Sequence, residues 1–336
     1  LLTAKLKKIG FTHNLKKAKS YLTEAIFNSL REYHSNTSVH AELHKMLHLA
    51  EVLLEKKLNV LAKKILLKAE KLALEYELYD FLMVISSYKA AALHTTRNIK
   101  DMEEYLKHGT HKEKKYLEYY NNIIEFRNLG FQLRLRDTIY GLSKKRKGTN
   151  ENNSVFKSPL LSSADKALSF TALQYYYYIL LEKGKWDHAT CQRQKEWITY
   201  LESDETKLVE RGYVYLIALM NLMFIQASIG RMNEAEKSHE KIKDFYFSLP
   251  PKKRTKPLLE ILVNATSEYM GRCIQNGNPE KSLKAWEQIK GYISFNMMNP
   301  SYFLVICNTL SDIHFMLGNY HEALKWVNKI INFKEK

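Results

Sequence analysis

A chain of 336 residues is long enough for two ordinary domains or one extended repeat array. With 12 Gly and 6 Pro in a 45% hydrophobic composition rich in Leu, Lys, Glu, Ala and Tyr, it reads as nearly all α-helical. No apolar run approaches the roughly 18 residues of a membrane span, no leader pattern is visible, and Cys191, Cys273 and Cys307 are too scattered for a disulfide framework or a metal site. The expectation is therefore a cytoplasmic protein with no membrane contact, no metal and no cofactor.

The net charge of +16 is uneven. Residues 1–150 hold 28 Lys and Arg against 16 Asp and Glu, whereas residues 151–336 hold 24 against 20. A basic half suits nucleic acid or an acidic partner, but most of these lysines fall on the outer faces of amphipathic helices.

In chain order, residues 1–142 form an N-terminal helical block. An amphipathic helix spans 14–34, and Gly10 before it invites a helix-turn-helix reading that lacks a polar recognition face. Residues 38–76 read as a helical hairpin, with Lys57 where a turn glycine would stand and Ala62 and Ala69 seven apart on the second helix. His40, His44 and His48 recur every four residues and share one face, with Glu51 near; the spacing alone is a weak zinc signal. Segments 78–95 and 111–142 are helical without a fixed phase.

Residues 143–163 read as a flexible basic linker, opened by the polar run Ser143 to Ser154 with its Lys144 to Lys147 cluster. A second basic loop, Lys252 to Lys256, joins two later helices. Neither is interleaved with aromatics that would stack on bases.

Residues 164–336 divide into four hairpins: 164–183 with 186–201, 205–229 with 231–248, 257–276 with 279–295, and 299–317 with 320–333. Ser203-Asp204-Glu205, Thr255-Lys256-Pro257, Asn278-Pro279 and Asn299-Pro300 supply helix starts. Gly184, Gly230, Gly277 and Gly318 supply stops, and five residues after each comes Ala189, Ala235, Ser282 or Ala323. A small side chain there lets the second helix approach the first. Tyr175 to Tyr178 point around most of one helix, so some rings pack and the rest face a groove or solvent.

The closing unit Leu317-Gly318-Asn319-Tyr320-His321-Glu322-Ala323 through Ile330 resembles the turn and second helix of a tetratricopeptide repeat, and 164–333 resembles that superfamily as a whole. Steps of 46, 47 and 41 between the small residues exceed the family's usual unit. The run Ser29 to Ser35 is similar to one in bacterial tetratricopeptide-like proteins of no assigned activity. The resemblance implies an all-α, right-handed α-α superhelix, a solenoid of antiparallel hairpins whose first helices line a concave binding face.

On that face the resemblance places Gln174, Tyr175 and Tyr178, then Asn221 and Phe224, then Asn264, Ser267 and Glu268, then Asn308 and Asp312. The 38–76 hairpin adds His44, His48 and Glu51. Amides and aromatics suit an extended peptide, since Asn and Gln bond a main chain without selecting its sequence. The lining contains no Lys or Arg, which implies no clamp for a C-terminal carboxylate.

No glycine-rich phosphate loop, nucleophile elbow or persuasive Cys–His pair is present, so no enzyme is expected. The expected function is a non-catalytic scaffold or adaptor for a protein or peptide partner. The rival is a nucleic-acid-associated regulator with a basic first half and a tetratricopeptide-like sensor half.

Overall fold

A computed structural model describes residues 15–34, 38–96, 98–140, 154–184, 186–293 and 300–333. Among these the secondary structure is helical throughout, without a strand. None of the helices is long and apolar enough to cross a membrane. The segment around Gly10, the Lys144 to Lys147 cluster and Asn299 lie outside the described residues. The chain divides into two compact units, Leu1–Asn122 and Ile123–Lys336, with the division inside one long helix rather than at the polar run that follows it.

In the first unit, α1 spans Leu15–His34, α2 Val39–Glu55, α3 Asn59–Glu75, α4 Tyr79–Thr96 and α5 Ile99–Glu104. Ser38 caps α2, its hydroxyl accepting from the Ala41 amide at 3.2 Å. Helices α2, α3 and α4 pack on one another around Leu43, Leu66, Leu82 and Ile85, all fully buried. A π-helical turn, Tyr105–Gly109, then joins α5 to α6, Thr110–Tyr140.

The second unit takes up α6 beyond Asn122. Three short 3-10 turns follow over Ser154–Lys157, Pro159–Leu161 and Ala164–Lys166. Where the polar composition predicts a flexible linker to 163, Val155, Phe156 and Leu161 are buried, because apolar side chains give this stretch something to anchor.

Then come α7 (Phe170–Lys183), α8 (His188–Glu202), the single turn α9 (Glu205–Leu208), α10 (Gly212–Ser228), α11 (Met232–Ser248), α12 (Lys256–Gln275), α13 (Pro279–Ile289), α14 (Pro300–Met316) and α15 (Tyr320–Ile331). Helix α10 packs on α11 and on α12, α11 on α12, α12 on α13 and α14, α13 on α14, and α14 on α15. Helices α10 and α12 thus each touch their own partner and the next first helix, whereas α10 is also met by α8.

One turn recurs. At Gly230, Gly277 and Gly318 φ is +80°, +70° and +74°, and the following amide reaches back five residues: Arg231 to Gln226, Asn278 to Cys273, Asn319 to His314. This left-handed closure satisfies carbonyls that the ending helix would orphan. Lys57 (φ 57°) and Glu77 (φ 55°) adopt it as well, with Leu58 bonding Leu53 and Leu78 bonding Ala73. Five positions on stand Ala62, Leu82, Ala235, Ser282 and Ala323, all buried.

The α7–α8 connection departs from this rule. Gly184 has an extended backbone (φ −67°, ψ 147°), and α8 starts late at the Asp187 cap, whose carboxylate accepts from the Thr190 amide at 2.8 Å. The longer turn rotates the packing face, so Ala189 is exposed and Thr190 and Cys191 are buried instead. Among the other predicted starts, Asp204 does cap α9, whereas Thr255 and Asn278 make no side-chain cap. The Asn278 side-chain amide donates instead to the Asn276 carbonyl at 2.8 Å.

Candidate functional site

Helix α7 begins where Ser169 caps it, its hydroxyl accepting from the Ala172 amide at 3.3 Å. That start fixes the phase of the tyrosine run. Tyr176 is buried edge-on against Phe126 of α6, with ring centroids 6.4 Å apart. Tyr177 stacks on Trp197 of α8 at 4.8 Å, and Trp197 in turn stacks on Phe170 and Tyr200. Burial holds the Tyr176 and Tyr177 hydroxyls above their ordinary pKa, so both remain protonated donors. Tyr176 is thereby spent on packing, whereas Tyr177, although stacked on Trp197, lines the opening together with Tyr175 and Tyr178.

That opening is a groove of about 300 Å³. Gln174, Tyr175 and Tyr178 line it from α7, and Tyr213, Ile217 and Asn221 from α10, with Trp197 on its wall. Gln194 is buried there, its side-chain amide donating to the Ala218 carbonyl at 3.0 Å. This bond ties α8 to α10 and fixes one side of the groove. Gly130 of α6 allows close approach on the other: a methyl there would stand 3.0 Å from the Tyr175 ring.

Four residues assigned from the sequence, Gln174, Tyr175, Tyr178 and Asn221, therefore meet in one groove. Sequence reasoning missed Arg134 of α6, whose guanidinium lies over the Tyr178 ring at 5.9 Å. The unphased 111–142 segment concealed it, although Arg134 stands four residues after the buried Gly130.

The remaining assigned residues lie elsewhere. Phe224 is half-buried on α10. The Asn264 side chain donates weakly to the Met220 sulfur at 3.5 Å, Ser267 is buried, and Glu268 one residue on is exposed. Asn308 donates to Asp312 at 3.3 Å along one face of α14.

In the first unit, His44, His48 and Glu51 line a separate groove of about 380 Å³ with Asp80, Phe81 and Tyr88. His44 meets Phe81 edge-on at 4.9 Å, and His48 Nδ1 lies 3.8 Å from Glu51. Among the described residues no three His, Cys, Asp or Glu side chains are disposed to hold a metal ion.

The three cysteines are buried free thiols, and burial raises their pKa values, that of Cys307 to about 11. Compared with family models, characterised proteins and solved structures, the chain matches none.

Proposed function

We propose that this chain is a non-catalytic cytoplasmic scaffold that holds a protein or extended peptide, with the α7–α10 groove as its principal contact. In this reading α7 to α15 form a right-handed tetratricopeptide-like solenoid, and the first helices present its binding face. The ordered packing of α10, α12 and α14 on one another supports that arrangement. The recurrence of one left-handed turn supports the repeat.

The observation that carries the function is the convergence of Gln174, Asn221, Tyr175 and Tyr178 on one open groove. Two amides bond a peptide main chain in either direction, and two aromatic rings give contact area at small entropic cost. Among the described residues Arg134 is the one charged side chain of the lining, so an acidic side chain is favoured beside Tyr178. A lone guanidinium does not make a carboxylate clamp.

The test is affinity capture with the full chain, followed by titration of the captured partner. Asn221→Ala combined with Tyr178→Ala should weaken that partner at least tenfold. Unchanged binding would sink the proposal, as would loss only on substituting second-helix surfaces. Retention of nucleic acid that falls steeply with salt and ignores both substitutions would instead favour the rival regulator.

A further inference from the structure

The first unit holds a second cavity, of about 230 Å³, unrelated to the groove above. By comparison, an apolar cavity of about 150 Å³ admits benzene. Its walls are α3, α4 and the segment running through the π-turn into α6.

The π-turn builds the third wall. One extra residue in the turn retards the helix by about 100°, so residues eight apart face the same way instead of seven. Tyr105 accordingly meets Glu113, its hydroxyl donating at 2.8 Å, and both line the cavity. Gly109 is required for this ring position, since a methyl there would lie 2.4 Å from the Tyr105 ring. Single π-turns of this kind occur frequently at functional sites.

The polar groups are arranged at two levels. Near one end, Lys63 pairs with Asp101 at 2.9 Å, one turn from Asn59. Asn59 Oδ1 is buried and accepts no hydrogen bond among the described residues. Near the other end, Lys89 pairs with Glu70 at 2.5 Å beside Ser86. Between them the wall is apolar, made by Leu66, Leu67, Ala92 and Leu93. Seven residues of α3 separate Lys63 from Glu70, about 10 Å along the axis. An extended peptide covers about 3.3–3.6 Å per residue, so that span is two or three residues.

We propose that this cavity binds a short, apolar, zwitterionic peptide of two or three residues. Its ammonium is received by Asp101 at the Lys63 level, its side chains by the leucine wall, and its carboxylate by Lys89 and the Ser86 hydroxyl. The buried, unpartnered acceptor on Asn59, one turn beyond Asp101, favours the donor-bearing end there and so sets the direction of the bound chain.

Isothermal titration of the full chain with Leu-Leu, Leu-Leu-Leu, free leucine and N-acetyl-Leu-Leu-amide tests this. Saturable binding of the di- or tripeptide is expected, at least tenfold tighter than free leucine or the capped peptide. Ala92→Leu, which fills the cavity without altering charge, should abolish it, and Lys89→Met should weaken it at least tenfold. Circular dichroism checks that each variant is folded, with Ser86→Ala, which removes a hydrogen bond to the carboxylate, replacing any that is not. Asn221→Ala in the other groove should leave it unchanged, which separates this site from the scaffold reading. No saturable binding of either peptide overturns the proposal. Equal binding of the capped peptide, or binding indifferent to Ala92→Leu, does so too.

Discussion

His239 Nε2 of α11 lies 3.0 Å from the Thr266 hydroxyl of α12, and both side chains are wholly buried. The Thr266 hydroxyl donates its own proton to the Leu262 carbonyl at 2.8 Å. It can therefore only accept from the imidazole, which assigns the proton to Nε2. The ring also lies flat on Tyr269, with centroids 4.6 Å apart. Nδ1 meets no hydrogen-bond partner among the described residues, so a second proton would be buried without compensation.

Burial, and then the charge of Lys243, push the His239 pKa down from 6.5 to about 3. Above pH 6.5 the ring is neutral both folded and unfolded, and the full stability is present. Below it the unfolded chain takes up a proton that the folded chain refuses. Stability from this residue should thus fall by about 1.4 kcal/mol per pH unit between pH 6.5 and the folded pKa. Urea unfolding at pH 7.5, 6 and 5 checks this against His239→Gln, which keeps a donor for Thr266 but cannot titrate. The variant should lack the excess slope; parallel profiles would refute the assignment.

Lys57 and Glu77 hold a left-handed backbone that L side chains adopt at a cost. Lys57→Gly and Glu77→Gly should each raise the unfolding free energy by about 1 kcal/mol. Gly277→Ala, with open space around the site but φ +70°, should lower it by a similar amount. Denaturant midpoints with unchanged slopes check all three. A loss in Glu77→Gly would show that its side chain, not its backbone, holds the α3–α4 turn.

The second of those positions also marks where sequence legibility ended. Gly230, Gly277 and Gly318 announce left-handed turns because glycine adopts them at no steric cost, so their positions, together with the register of the closing unit, allowed three hairpins to be phased. Glu77 sends no such signal, and α4 with its buried Leu82 stayed without a register. Gly184 misled for the opposite reason. It is kept for close approach, since a methyl there would lie 2.3 Å from the Thr190 hydroxyl, and not for a positive φ. In the groove, α7 and α10 residues followed from helical spacing within the resemblance. Arg134 came from a helix more than thirty residues upstream, a juxtaposition local periodicity does not encode.

Cys191, Cys273 and Cys307 pack in the interior with thiol pKa values raised by burial. The thiolate is the nucleophile, so alkylation in native buffer at pH 8 should be slow at all three. Mass spectrometry after iodoacetamide treatment should show unmodified cysteines until denaturant is added. Rapid native labelling of Cys307 would mean that α14 opens readily to solvent.

Gly130 and Gly271 both lie well inside long helices, where alanine is favoured over glycine by about 1 kcal/mol. Their surroundings differ. Around Gly271 a new methyl meets nothing, so Gly271→Ala should stabilise the chain by about 0.5–1 kcal/mol. At Gly130 the methyl would stand 3.0 Å from the Tyr175 ring, which must tilt into the groove or force α6 outward. The propensity gain is then offset by displacement, and Gly130→Ala should be neutral or destabilising. It should also weaken any ligand of the α7–α10 groove, while Gly271→Ala leaves that affinity alone. Paired unfolding and binding titrations decide the matter: equal stabilisation with unaltered binding would mean that Tyr175 does not shape the groove.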